Sequence, residues 1–203
     1  MTLYVTAAQL KTTLGIGSTY ADADVATAVE AASRACDGYR NVAPGSFAAA
    51  TQTRYYSPQS CDAYLEIDPL NTLTTLKIDT DGDLVYETTW TNGTDFVLLP
   101  ENGATDGIPW TEVRILPQSG RRFSGYLKGV QIVGSFGWAA TPGAVTQSTT
   151  ILAGRFLKRA RETPYGILAI TGDAVAAARL GRIDPDVAFL LDNLPGSVPL
   201  LAY

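Results

Sequence analysis

The sequence predicts an α+β protein: a helical bundle made from the N- and C-terminal segments, with an antiparallel β domain of barrel or sandwich type inserted between them. Three observations predict it. Apolar residues recur at helical spacings of three and four near both ends. From about Thr53 to Gly137 the period changes to two. Turn-forming pairs punctuate that middle region at short intervals. The expected organisation is 1–50 for the N-terminal helices, 51–137 for the β domain, 138–196 for the returning helices and 197–203 for an apolar C-terminal tail.

Thr6-Ala7-Ala8-Gln9 has the form of a capping box, with Thr6 as N-cap and Gln9 reaching back. It opens a short helix carrying Leu10 and Leu14, stopped at Gly15. A second helix is expected to start near Asp22 or Asp24 and to end near Arg40 or Asn41, ahead of Pro44 and Gly45. Its apolar positions Val25, Val29, Ala32, Cys36 and Tyr39 form one stripe, flanked by alanines that permit close approach of another helix.

The strands are expected at TRYYS, AYLEI, TTLKID, LVYETTW, DFVLLP, TEVRILP and LKGVQIVGSFG. Between them stand Asp68-Pro69, Asp81-Gly82, Asn92-Gly93, Asn102-Gly103 and Gln118-Ser119-Gly120. Helix returns after Trp138, with Thr141 as N-cap and Pro142 in the first turn. Val145, Thr149, Leu152 and Phe156 make its stripe, and Arg155, Lys158, Arg159 and Arg161 form a basic patch that complements the C-terminal end of the helix dipole. Asp184-Pro185-Asp186 opens a last helix with Val187, Leu190, Leu191 and Leu194 on its apolar side, closed by Pro195-Gly196.

The stretch DTDGDLVYE, residues 79–87, invites a calcium-loop reading. Carboxylates fall at loop positions one, three and five, but the glycine is at four and position twelve is Trp90 instead of a bidentate Glu. Its flanks favour strands, so a hairpin turn at Asp81-Gly82 is expected and no metal site. Gly15-Ile16-Gly17 lacks a preceding strand and reads as a helix-stop loop.

Composition narrows the chemistry. The chain has 203 residues, 46% hydrophobic and 17% charged, with a formal net charge of −5. Tight nucleic-acid binding would need a basic excess, so only loose contact with DNA fits. Histidine is absent, which removes the usual general base and excludes Ser-His-Asp and Cys-His catalysis and His-containing zinc sites. Cys36 and Cys61, the only cysteines, make neither a zinc site nor a disulfide framework and are expected as free thiols. The carboxylates Asp62 and Glu66 have no apolar pocket in view, so a glycosidase reading is weak. No secretory signal, membrane span or cofactor is expected. Tyr55, Tyr56 and Tyr64, or Trp110, offer an alternative: a β-domain surface that binds a carbohydrate or receptor, against ordinary cross-strand packing.

Two groups of residues are candidates for protein contacts. Val198, Leu200, Leu201 and Tyr203 in the tail SVPLLAY are apolar and need cover, from their own domain or from a partner. Val25, Val29, Ala32, Leu152 and Phe156 suit helix packing within a subunit or between subunits.

Three longer stretches carry a resemblance. YVTAAQLKTTLGIGSTYADADVATAVEAASRACDGYRN is a capped helix, a glycine stop, an acidic start and an Ala-rich helix ending in an aromatic and Arg. VQIVGSFGWAATPGAVTQSTTILAGRFLKRARETPYGIL is a strand, a Gly-Trp corner, a Pro-started helix, a basic helix end and a Pro-x-Gly exit. RIDPDVAFLLDNL closes with an Asp-Pro-Asp-Val helix. In this order they resemble the head-tail connector (adaptor) proteins of long-tailed, siphovirus-like bacteriophages, over roughly half the chain. The resemblance implies a structural virion protein assembled in the host cytoplasm. It implies a homo-oligomeric ring, usually of twelve subunits, beneath the portal protein. The ring would lengthen the channel for double-stranded DNA and receive a stopper or tail-completion protein. It implies no catalysis and no membrane. The alternative within particle assembly is that the chain is itself a stopper or tail-completion protein.

Overall fold

The computed structural model describes residues 2–59, 62–162 and 183–195. Along these the elements are α1 (Ala7–Leu14), α2 (Asp22–Tyr39), β1 (Ala50–Tyr56), β2 (Tyr64–Ile78), β3 (Thr88–Trp90), β4 (Phe96–Leu99), α3 (Gly103–Asp106), β5 (Trp110–Ile115), β6 (Val130–Phe136), α4 (Gly143–Glu162) and α5 (Pro185–Asp192). The fold is α+β. The chain divides into two compact units, Met1–Gly45 with Thr141–Tyr203, and Ser46–Ala140.

In the helical unit the caps explain where the chain turns. The Gln9 amide donates to Thr6 Oγ1 at 3.1 Å and the Thr6 amide to Gln9 Oε1 at 2.8 Å, closing the capping box. Gly15 ends α1 at φ 63°, where a side chain would be strained. α2 starts at Asp22, as expected; Ala21 is the N-cap without a side-chain bond, and Asp22 and Asp24 lie in the first turn, where carboxylates favour the dipole. Asp22 pairs with Lys11. α5 begins as expected, with Asp184 accepting from the Asp186 amide at 3.0 Å and Pro185 in the first turn.

Val25, Val29, Ala32 and Cys36 on α2 are fully buried, as are Val145 and Ala153 on α4. α2 packs on α4, and α4 on α5, whose Val187 and Leu191 are also fully buried. Each fully buried Val or Leu among them contributes about 1.5–3 kcal/mol relative to exposure. Cys36 behaves as a small buried hydrophobe: its thiol lies 3.6 Å from Thr149 Oγ1, and burial pushes its pKa up.

The sheet unit corrects one expectation. The strands form one antiparallel sheet in the order β1-β6-β2-β5-β4, with β3 pairing β2, and it does not close into a barrel. β1 and β4 lie at opposite ends of that order. The expected strands AYLEI and TTLKID are one strand, β2, of 15 residues. Asp68-Pro69 is therefore no turn. Proline is accommodated at a register shift between Glu66 and Leu70, where β2 pairs with β5. Two further shifts, between Leu70 and Thr72 and between Leu73 and Thr75, mark the pairing of β2 with β6. One long strand that serves β5 with one half, and β3 and β6 with the other, replaces the two hairpins a small barrel would use.

Alternation along β6 sends Val130, Ile132, Gly134 and Phe136 inward. They meet Leu70, Leu76, Ile78, Phe96 and Val113 in one apolar core. Phe123 from the β5–β6 connection packs on Trp90 with ring centroids 5.4 Å apart. Gly134 is there because nothing larger fits: a Cβ would stand 2.3 Å from the Thr72 carbonyl oxygen.

Candidate functional site

The β2–β3 connection is the part of the chain richest in polar detail. It is a nine-residue loop, because Ile78 pairs with Thr88 and only Thr88–Trp90 of LVYETTW is strand. The antiparallel pair is as expected; the two-residue turn is not. Asp79 explains the difference. Its carboxylate is buried and accepts from the amides of Gly82 (2.6 Å), Leu84 (2.9 Å) and Asp81 (3.2 Å). Burial alone would raise its pKa; those amides outweigh it and hold the carboxyl below its ordinary range. Three amides on one carboxylate favour a longer, folded loop over a tight turn.

Asp81 and Asp83 repeat the device at smaller scale, accepting from the amides of Asp83 and Val85 at 3.3 and 2.7 Å. Glu87 accepts from the Thr80 amide and hydroxyl. For Asp81 the Asp83 amide lowers the pKa, but desolvation and the neighbouring carboxylates prevail and raise it. Oxygens of Asp79, Asp81, Asp83 and Glu87 all lie within 4.8 Å of one another, which is the donor chemistry a hard cation takes. Each of these carboxylates is already committed to backbone or hydroxyl donors of the loop itself.

A second loop meets the first. The Tyr86 hydroxyl donates to the Lys128 carbonyl at 2.9 Å, the Asp79 amide to the Gly129 carbonyl at 2.9 Å, and the Lys128 amide to Ser57 Oγ at 2.8 Å. Tyr126 packs over Gly82, and Tyr55 lies against Tyr86 with centroids 5.8 Å apart. Around this polar framework Leu84, Val85, Tyr126 and Leu127 point into solvent, with Tyr55 half exposed. Sequence reasoning missed this tip. Leu84-Val85-Tyr86 reads as strand, and so does the run from Leu127 onward. Only the cluster of Asp and Gly at 79–83 signals a loop there.

The other tyrosines and Trp110 divide. Tyr56 is half buried, its hydroxyl donating to Asp68 Oδ2 at 2.9 Å, and burial first, then the Asp68 charge, pushes its pKa up. Trp110 packs against the core, whereas Tyr64 is exposed. Asp62 is half buried and Glu66 exposed.

In the helical unit, Val25, Val29, Ala32 and Leu152 are buried and Phe156 is half buried. Of the basic patch, Arg155 pairs with Asp184 at 2.5 Å, Lys158 and Arg159 are exposed, and Arg161 donates to the Thr19 carbonyl at 3.0 Å and stacks on Tyr20. A groove of about 590 Å³ runs beside Arg161, lined by residues of α2, α4 and the α1–α2 loop. Val198, Leu200, Leu201, Tyr203 and Cys61 lie outside the described residues. Among the described residues no helix is long and apolar enough to cross a membrane.

No known protein family and no curated protein matches the chain. Among solved structures the fold is similar to a chain from the neck of an empty GTA particle, a gene transfer agent, with a TM-score of 0.56 at 17% identity. The likeness spans 96% of this chain and 94% of the other.

Proposed function

We propose that this chain is a structural head-to-tail adaptor of a tailed bacteriophage or phage-like particle. In this reading copies of the chain form a ring beneath the portal, lengthen the DNA channel and receive the stopper or tail. The observation that carries it is the end-to-end likeness of fold to a particle-neck chain, at nearly equal length. Two features of the sequence support it. An acidic balance of −5 suits a channel wall. Each Lys or Arg contact to phosphate adds affinity by counterion release, so a basic wall would brake a sliding duplex. The absence of histidine leaves few groups suited to acid–base turnover at neutral pH, in keeping with a passive part without enzymatic activity.

The apolar tail 197–203 is assigned, in the same proposal, to docking on the portal or an adjacent subunit. Burial of its side chains around a ring would multiply weak contacts into secure attachment. Particles made without this protein test the role: DNA-filled heads and free tails should accumulate unjoined, and supplying the protein should join them. Normal particles without it would refute the adaptor reading. Order of addition separates adaptor from stopper, because an adaptor binds portal directly and a stopper requires the adaptor first.

A further inference from the structure

The tip of the sheet unit has a composition that its own fold does not use. Leu127 is 77% exposed, Val85 57% and Leu84 56%. These side chains are not on a slack loop. Leu84 sits at φ 68° and Lys128 at φ 57°, conformations a non-glycine residue adopts at a cost. The Asp79 carboxylate holds the first, through the Leu84 amide, and Ser57 holds the second. Both strained residues thus lie where the chain displays apolar groups to water. The rim is acidic: Asp81, Asp83 and Glu87 are exposed, and Lys128 leans over the Tyr55 ring.

A partner for such a surface needs an apolar recess bordered by positive charge. The chain itself carries one. The groove is lined on its apolar side by Tyr20, Ala28, Ala31, Phe156 and Leu157, and on its polar side by Thr27, the Asp24 carboxylate and Arg161. Lys158, Arg159 and Arg161, on the last turns of α4, stand exposed at that end of the helix.

We propose that the acidic apolar tip of one molecule docks on the basic end of α4 in a second copy, with Leu84 or Leu127 entering the groove. The two surfaces differ, so the contact is head-to-tail. It leaves a free tip and a free groove at each stage, and repeats into a ring or an open chain. The inference rests on the adaptor reading and specifies the subunit contact within it.

Sedimentation velocity on the purified full chain over a concentration series, at low salt and at 0.5 M NaCl, tests it. The wild type should self-associate, and less so at high salt. Leu127→Ser removes an exposed side chain and leaves the loop bonds intact; it should weaken association by about tenfold. D81K/D83K/E87K and K158E/R159E should each weaken it by about tenfold or more, and the two combined should recover most of the loss, because opposite charges again face each other. Circular dichroism melts establish that each variant is folded, and protection of the Gly82 and Leu84 amides against hydrogen exchange establishes that the tip keeps its conformation. Association unchanged by Leu127→Ser and by the charge reversals, or charge reversals that fail to compensate in folded protein, would overturn the contact. So would a wild type that stays monomeric at every concentration. The adaptor reading survives those results if the protein still assembles on a portal, and fails independently if it does not.

Discussion

Replacing Gly134 by alanine adds one methyl group to β6 against the backbone of the neighbouring β2. The added Cβ would lie 2.3 Å from the Thr72 carbonyl oxygen and 2.8 Å from Leu70 Cδ1. Restoring ordinary contact requires the carbonyl to retreat by about 1 Å, and that carbonyl belongs to backbone. Overpacking of this kind costs about 1–3 kcal/mol. Displacing β2 also weakens one or two ladder hydrogen bonds, at about 1 kcal/mol each. Alanine returns about 0.5–1 kcal/mol by restricting the unfolded chain. The expected net loss is roughly 2–4 kcal/mol. All three tryptophans, Trp90, Trp110 and Trp138, lie in the sheet unit, so their fluorescence in a urea titration reads this region directly. An unfolding midpoint equal to that of the wild type would refute the packing argument, and with it the assignment of β6 beside the β2 bulges.

The other predictions concern single contacts. Gly38→Ala in α2, where the new Cβ meets nothing and φ is ordinary, should stabilise the helix by about 0.5–1 kcal/mol, read by circular dichroism at 222 nm. Tyr4→Phe removes the hydroxyl that donates to buried Asp37, whose other partners are the Gly45 amide and Arg34. The loss should be about 1.5–3 kcal/mol near neutral pH. Burial raises the Asp37 pKa, so the folded chain takes up this proton at a higher pH than the unfolded chain does, and the penalty should fade as pH falls through the folded value. For Asp79 the sign is opposite. Its folded pKa is lowered, so its hold on the loop is complete above the ordinary carboxylate range and is lost as pH drops below about 4. The protection of the Gly82 and Leu84 amides against hydrogen exchange, taken relative to the intrinsic rate at each pH, should fall there, and Asp79→Asn should weaken the same protection at neutral pH.

What could be read from the sequence follows the physics of each element. Helices announce themselves because caps and stripes are local: Thr6 with Gln9, the Val25-Val29-Ala32-Cys36 run and Asp184-Pro185 all predict their elements to within a residue or two. The sheet was legible as a set of strands but not as a topology. Period two cannot distinguish a proline at a bulge from one in a turn, so β2 read as two strands broken at Pro69. Closure depends on which strands become neighbours, and pairings such as β1 with β6 lie too far apart in sequence to leave a local signature. The tip at 79–87 and 124–129 was hidden for another reason. Leu84 and Val85 have strand propensity, and it is the buried Asp79 carboxylate that turns them outward. A tertiary hydrogen-bond network overrode the local preference.

In the proposed role, copies of this chain close into a collar at a particle vertex. Electron microscopy of the purified protein mixed with the portal of its own particle tests this most directly. The account predicts a ring of this chain seated on the portal, coaxial with its channel. Portal rings that remain bare, with the chain dispersed as single folded molecules, would contradict it.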